Sequence, residues 1–272
     1  MTKQKENIVL FDMDGTLTEA RQKATWSLVR PLRQLSAYAD IGIVTGSPMN
    51  YLEQQCGILW EELGSVDIRS FSLFPCNGTQ AYKYNIASRV WESFSHTDMR
   101  SHISIDTYQQ IVREILALQT SYCDQHTDMP LTGNFISDRK SMINWCPVGR
   151  DASNDERSLF QKFDKKHKCR ETLKSWLEDA LSDISIQNIE CVLGGNTSID
   201  IYPIGWDKTY VLRHLETYKS VYFMGDRCED LGNDKALYEA LAPEVTSFKT
   251  TGPHETVCII DRLAMLIKDS YD

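Results

Sequence analysis

The chain has 272 residues, 42% of them hydrophobic, enough for a compact domain and a second, smaller one. A formal net charge of −9 and a pI near 5.2 argue against nucleic acid or an anionic membrane as the main partner, because both require a basic surface. Eight scattered cysteines with no C-x-x-C pair suggest neither a zinc site nor a disulfide framework; reduced thiols and a soluble, cytoplasmic protein are expected.

In chain order, the polar start runs into Ile8 to Phe11, a continuous apolar stretch that stops at Asp12. It reads as a buried parallel strand whose carboxyl end lies at the functional edge of a sheet. A second such strand, Ile41 to Val44, ends in Thr45-Gly46-Ser47-Pro48 and leads into a helix to about Ile58. The middle changes character. Two strand-like runs fall in Ala81 to Phe94, then Tyr108, Ile111, Val112, Ile115 and Leu116 recur at helical spacing. A strand pair is expected over Asn134 to Cys146, with helices at 154–163 and 171–181. Val221 to Met224 is a last apolar strand, stopping at Gly225-Asp226. Strands ending in small or acidic residues, separated by helical patterns, describe an open α/β sheet. The middle, without that alternation, is α+β in pattern. The expected organisation is therefore an α/β core at 1–82 and 206–272, with an α+β cap inserted at 83–205.

The strongest local pattern is Phe11-Asp12-Met13-Asp14-Gly15-Thr16-Leu17-Thr18. At a strand end one carboxylate can attack a phosphoryl group while its neighbour two residues on moves the proton, and Gly15 and Thr16 let main-chain N–H groups approach the oxygens. The plain alternative is a capped turn, since Asp and Thr favour such positions. Asp226, after a separate strand, is placed to complete a hard-oxygen Mg²⁺ site with Asp12 and Asp14, with Asp230 and Asp234 as nearby support. Lys208 opens a helix and can neutralise Asp12 and a bound phosphate; alone, such a lysine is usually a solvated charge. His214 and the tryptophans Trp26, Trp91, Trp145 and Trp176 read as packing residues.

In this order, D-x-D-G-T, Thr45/Ser47, Lys208 and Gly225-Asp226 resemble the motifs of the haloacid dehalogenase superfamily. The resemblance implies a Rossmann-like core with a parallel sheet and an inserted cap. It assigns Asp12 as nucleophile, Asp14 as acid/base, Thr45 and Ser47 as phosphate hydroxyls, Lys208 as phosphate clamp and Asp226 as a metal ligand.

Much of the chain further resembles eukaryotic-type phosphomannomutases. Phe11 through Gln22 matches their opening and includes Arg21, which in that family touches the sugar phosphate. FISDRKSMINWCPVGRDASNDER, Phe135 through Arg157, matches their cap stretch. It carries Arg139, Arg150 and Arg157, with Asn144 beside them, onto the arginines that hold the distal phosphate. Gly194 to Asp200 resembles the next motif, with Ser198 and Asp200 at the positions for sugar hydroxyls. The resemblance implies interconversion of mannose 6-phosphate and mannose 1-phosphate through an aspartyl-phosphate at Asp12, primed by a hexose 1,6-bisphosphate. It also implies a homodimer formed through the cap. The preferred hexose stays open, and a sugar-phosphate phosphatase on the same scaffold is the alternative. A catalytically silent binding protein fits less well, having no chemical need for Asp12, Asp14, Lys208 and Asp226 together.

The chain departs from the family at several points. Thr45 stands where glycine is usual, Cys76 replaces glutamate before Asn77-Gly78, Asn196 replaces glutamine and Arg227 replaces lysine. The stretch Arg227 to Leu231 diverges otherwise, and Ala240 falls where an acidic ligand of a second cation would align.

Overall fold

A computed structural model describes residues 5–230 and 232–269, with the backbone alone for 65 and 66. Leu231, the end of the divergent stretch, lies outside the described residues. The chain divides into two compact units, 1–96 with 206–272, and 97–205.

The first unit is built on seven strands: β1 (Asn7–Phe11), β2 (Asp40–Val44), β3 (Phe71–Phe74), β4 (Gln80–Asn85), β5 (Val90–His96), β10 (Ser220–Gly225) and β11 (Ser247–Lys249). They lie in the order β11-β10-β1-β2-β3-β4-β5. The pairs from β11 to β3 are parallel; β4 and β5 continue the sheet antiparallel. Alternate residues of β1 feed two cores. Val9 and Phe11 pack with Ile41, Ile43, Leu52 and Ile260 beneath the helices α1 (Val29–Leu35), α2 (Met49–Asp67) and α8 (Pro253–Asp269). Ile8 and Leu10 pack on the other face with Val44, Phe74, Val211 and Phe223. Burial on both faces is why the central strands read as unbroken apolar runs.

Three sequence expectations change here. The hairpin β4–β5, which the sequence reading put in the cap, pairs through β4 with β3, so the second unit begins at Thr97 and not at 83. Helix α2 continues past Ile58 to Asp67, with Gly64 leaving helical geometry at φ 74°. Trp26 is 62% exposed and does not pack, unlike the fully buried Trp145.

The second unit holds α3 (Met99–Ile103), α4 (Ile105–Gln125), α5 (Asn154–His167), α6 (Cys169–Asp183) and a four-stranded antiparallel sheet. Its strands are β6 (Ile136–Asp138), β7 (Ile143–Trp145), β8 (Ile189–Gly194) and β9 (Ser198–Pro203), in the order β6-β7-β9-β8. Tyr108, Ile111, Ile115 and Tyr122 line one stripe of α4, and Leu173, Leu177 and Leu181 line one of α6. These are the apolar faces a helix buries when it packs on a neighbour. In the first unit, α7 (Lys235–Ala240) follows β10. Among the described residues no helix is long and apolar enough to cross a membrane.

Candidate active site

Parallel register sets the position of the reactive edge. Phe11 is level with Met224 on one side and with Ile43 on the other, so β1, β2 and β10 finish nearly together. The residues that follow them, Asp12, Thr45 and Asp226, are therefore delivered to one edge by the sheet itself. The Asp12 N–H donates to the Met224 carbonyl at 2.9 Å, extending the ladder one step beyond β1.

Past Asp12 the chain turns back on itself. Gly15 donates to the Thr18 carbonyl at 2.7 Å, and Thr18 donates to the Met13 carbonyl at 2.9 Å. Gly15 sits at φ 89°, and a Cβ there would run into the Asp226 carboxylate. Both the conformation and the close approach call for glycine. A Cβ on Gly225 would come within 2.7 Å of the Asp234 carboxyl carbon, so that glycine admits a second carboxylate.

Lys208 opens the 3-10 segment Lys208–His214, which Asp207 caps by accepting from the Thr209 N–H at 2.7 Å. Its ammonium is fully buried and ion-paired with both Asp12 and Asp234. Burial alone would lower the lysine's pKa, but the two carboxylates outweigh it and hold the group charged. The carboxylates show the opposite imbalance. Burial and then the Asp234 charge push Asp12 well above the usual range, and the same causes push Asp226 up to about 6. Three acids crowd around one buried ammonium here, with the Arg227 charge acting on Asp226 from one side, so the carboxylates outnumber the charges that offset them. Carboxylate oxygens of Asp12, Asp226 and Asp234 lie within 4.8 Å of one another. Asp226 Oδ1 is buried with no hydrogen-bond partner among the described residues. Crowded hard oxygens, an excess negative charge and an orphaned carboxylate oxygen together fit a divalent cation.

That acidic group differs from the one expected from sequence. The Asp14 carboxylate is not part of it; its Oδ1 accepts from the Arg21 N–H at 2.7 Å. Asp234, considered only as support, is its fully buried third member, whereas Asp230 points outward in a 2.9 Å pair with Lys235. Asp234 gets there because the turn closes on itself: its N–H donates to the Arg227 carbonyl at 3.1 Å, and its Oδ2 accepts from the Arg227 N–H at 2.9 Å.

The Thr45 hydroxyl accepts from the Ser47 N–H at 3.1 Å. Asn77 and Cys76, both at positive φ, donate main-chain N–H groups to the carbonyls of Thr45 (2.8 Å) and Ser47 (3.0 Å). Arg21 is exposed, at φ 63°. His214 is structural, with Nε2 2.8 Å from the Gly78 carbonyl and its ring stacked on Phe74.

In the second unit the expected recognition residues do converge. Asn144 and Asp200 are cross-strand partners on β7 and β9, and Asn144 Nδ2 donates to Asp200 Oδ1 at 2.6 Å. Arg139 is 3.8 Å from the same carboxylate oxygen, and Arg150 donates to Asn144 Oδ1 at 3.2 Å. A capping box of Ser153 and Glu156 fixes the start of α5 and places Arg157 one residue later. Arg157 donates to the carbonyls of Ala152 (3.0 Å) and Arg150 (2.9 Å) and to Thr197 Oγ1 (2.7 Å), bracing the loop that carries Arg150. Ser198 is buried at the start of β9, two residues from Asp200.

The model of the eukaryotic phosphomannomutase family matches residues 28–266. The chain belongs to that family. It is 33% identical over 266 residues to phosphomannomutase 2 of Dictyostelium discoideum, covering 96% of this chain and 98% of the relative. It is 31% identical over 262 residues to the phosphomannomutase of Schizosaccharomyces pombe, covering 95% and 94%. Among solved structures, IMP-bound IMP-nucleotidase of Plasmodium falciparum superimposes with a TM-score of 0.68 at 14% identity, over 96% of this chain and 68% of that one. At that identity the likeness concerns the fold alone, and membership of the phosphomannomutase family rests on the sequence matches.

Proposed function

We propose that the protein interconverts mannose 6-phosphate and mannose 1-phosphate, with Asp12 as nucleophile. Asp12 attacks phosphorus in line; Asp14 gives its proton to the departing sugar oxygen and later takes one from the hydroxyl that receives the phosphoryl group. Lys208 holds Asp12 and the transferring phosphate in a fixed, desolvated frame, with the hydroxyls of Thr45 and Ser47 as further donors. Arg139, Arg150 and Arg157 with Asn144 recognise the phosphate that is not reacting, while Ser198 and Asp200 hold the sugar hydroxyls and Arg21 touches the sugar phosphate. A hexose 1,6-bisphosphate loads Asp12.

Asp12, Asp226 and Asp234 would hold Mg²⁺, which when bound offsets the repulsion between the nucleophile and the phosphate dianion. Asp14 is given proton transfer and not a carboxylate ligand role. The family likeness also suggests a cytoplasmic homodimer; exposed Ile105 and Leu116 on α4 suit a contact through the second unit.

The observation that carries the mutase reading is the arginine set of the second unit, arranged around Asn144 and Asp200. An enzyme that releases phosphate to water needs one anion site, whereas one that retains a bisphosphate and turns it round needs a second. The test is a phosphorus NMR time course of mannose 1-phosphate with the protein, Mg²⁺ and a trace of hexose 1,6-bisphosphate. Growth of mannose 6-phosphate at constant total ester phosphate is expected. Accumulation of inorganic phosphate alone, with and without the bisphosphate, would replace this reading with a phosphatase.

The metal assignment has its own check. Asp226→Ala removes one carboxylate from a sparsely coordinated ion, so the Mg²⁺ concentration for half-maximal activity rises by roughly tenfold or more. An unchanged Mg²⁺ titration would take Asp226 out of the metal site.

A further inference from the structure

Gln55 belongs to none of the recognised motifs. It sits on α2, where a glutamine would ordinarily face water, yet it is 4% exposed. The side-chain amide packs against the loop that carries Asp14. One of its two terminal atoms lies 3.0 Å from Thr18 Oγ1, 3.1 Å from Asp14 Oδ1 and 3.1 Å from the main-chain oxygen of Gln22. A carboxylate and a carbonyl can only accept, and the single hydroxyl proton of Thr18 is directed to the Met13 carbonyl at 3.1 Å. The facing atom is therefore the nitrogen.

The main chain of Gln55 adds a second tie, because its carbonyl accepts from the Ala24 N–H at 2.7 Å. Two amide protons are shared among the three acceptors facing the amide nitrogen, and with its main-chain carbonyl Gln55 ties the segment 18–24 to α2. That segment includes Arg21, whose left-handed backbone is costly for a non-glycine residue and persists only where neighbours fix it. In that conformation the Arg21 N–H reaches Asp14 Oδ1 at 2.7 Å. Both the Gln55 and the Arg21 donors fall on the same carboxylate oxygen. One oxygen of Asp14 is pinned from two elements, and the other is left to exchange the proton.

We infer that Gln55 is a positioning residue for the acid/base carboxylate: its amide, together with the Arg21 N–H, locks Oδ1 of Asp14 and so aims the second oxygen. This rests on the reading of Asp14 as the proton carrier. The consequence is selective for steps that need that proton. A sugar alkoxide is a poor leaving group and departs only when protonated; a nitrophenolate departs unaided.

The experiment compares two substrates in Gln55→Met, which keeps the side chain's length and removes its N–H donors. Turnover of mannose 1-phosphate with hexose 1,6-bisphosphate should fall by about tenfold or more in kcat, a part of the full value of acid/base help. The initial burst of nitrophenolate from 4-nitrophenyl phosphate, which reports phosphorylation of Asp12 before any acceptor must be deprotonated, should change in rate by less than about threefold, which also reports an intact fold and nucleophile. Gln55→Asn, which withdraws the amide by one methylene, gives the same comparison if the Met variant does not fold. Asp14→Asn, measured alongside, should show the same selectivity with a larger loss. If Asp14→Asn is not selective, the acid/base assignment fails. If it is selective and the folded Gln55 variants lose both substrates equally, or neither, Gln55 has no positioning role and the inference is overturned.

Discussion

Asp12→Asn should abolish phosphoryl transfer, by at least about 10⁴-fold, while leaving the protein as resistant to heat as the parent or more so. The first half follows from chemistry, since an amide oxygen neither attacks phosphorus usefully nor binds a cation as a carboxylate does. The second half follows from the imbalance of charge at the site. Burial and the neighbouring Asp234 push Asp12 well above its ordinary pKa, so its ionised form is held in the fold at a cost. Asparagine keeps the shape and removes that cost, and Lys208 retains Asp234 as its partner. A gain of about 1 kcal/mol would raise the melting midpoint by roughly 2–4 °C for a protein of this size. Activity near the parent's would remove Asp12 as nucleophile. An inactive variant that melts well below the parent would mean that Asp12 is mainly a structural ion-pair partner.

The trade is one that an active site makes, holding like charges together because the reaction needs them. The same logic explains which parts of this site were legible in the sequence. β1, β2 and β10 are buried on both faces, so they appear as apolar runs, and the polar residues that end them stand out. Their shared edge follows from parallel topology, which is why the sequence alone groups Asp12, Thr45 and Asp226. Asp234 cannot be ranked above Asp230 in this way. Both are acids a few residues past a strand end, and only the closing of the turn onto Arg227 buries one and leaves the other in water.

The inserted unit shows where local pattern runs out. Alternating residues in β4 and β5 identify a hairpin, but which sheet a hairpin joins is decided by tertiary pairing, here of Leu73 with Tyr82. β3 is four residues, Phe71–Phe74, entered directly from a short 3-10 turn, and offers too little period to be seen. Arg139, Arg150 and Arg157 are ordinary surface residues by composition, and family resemblance alone groups them in advance. The structure adds a distinction within the group. Arg157 spends donors on three protein oxygens, whereas Arg139 and Arg150 reach toward Asp200 and Asn144. Gln55 carried no signal, since a glutamine in a helix is usually solvated and only the packed loop makes it otherwise.

Replacing Lys208 with methionine should be damaging in both stability and rate. The ammonium is fully buried between Asp12 and Asp234, with Asp226 close by, and is the positive charge ion-paired with the first two. Methionine fills the volume but leaves those charges facing one another in a desolvated site. Breaking a buried pair in this manner costs on the order of 3–5 kcal/mol. Turnover should fall by about 10² to 10³-fold, the usual effect of losing one fixed donor at a developing charge. The sign of the pH dependence separates this mechanism from a packing defect. Asp12 and Asp226 are already raised in the folded protein, Asp226 to about 6, and losing the lysine raises both further. A carboxylate with a raised folded pKa binds its proton more readily folded than unfolded, so the penalty is full above the folded pKa and shrinks as pH falls through it. In metal-free buffer the gap in melting midpoint between parent and Lys208→Met should therefore be widest at pH 8 and should narrow at pH 5. A gap that stays constant across that range would assign the loss to packing, and parental stability at pH 8 would mean the lysine does not balance these acids.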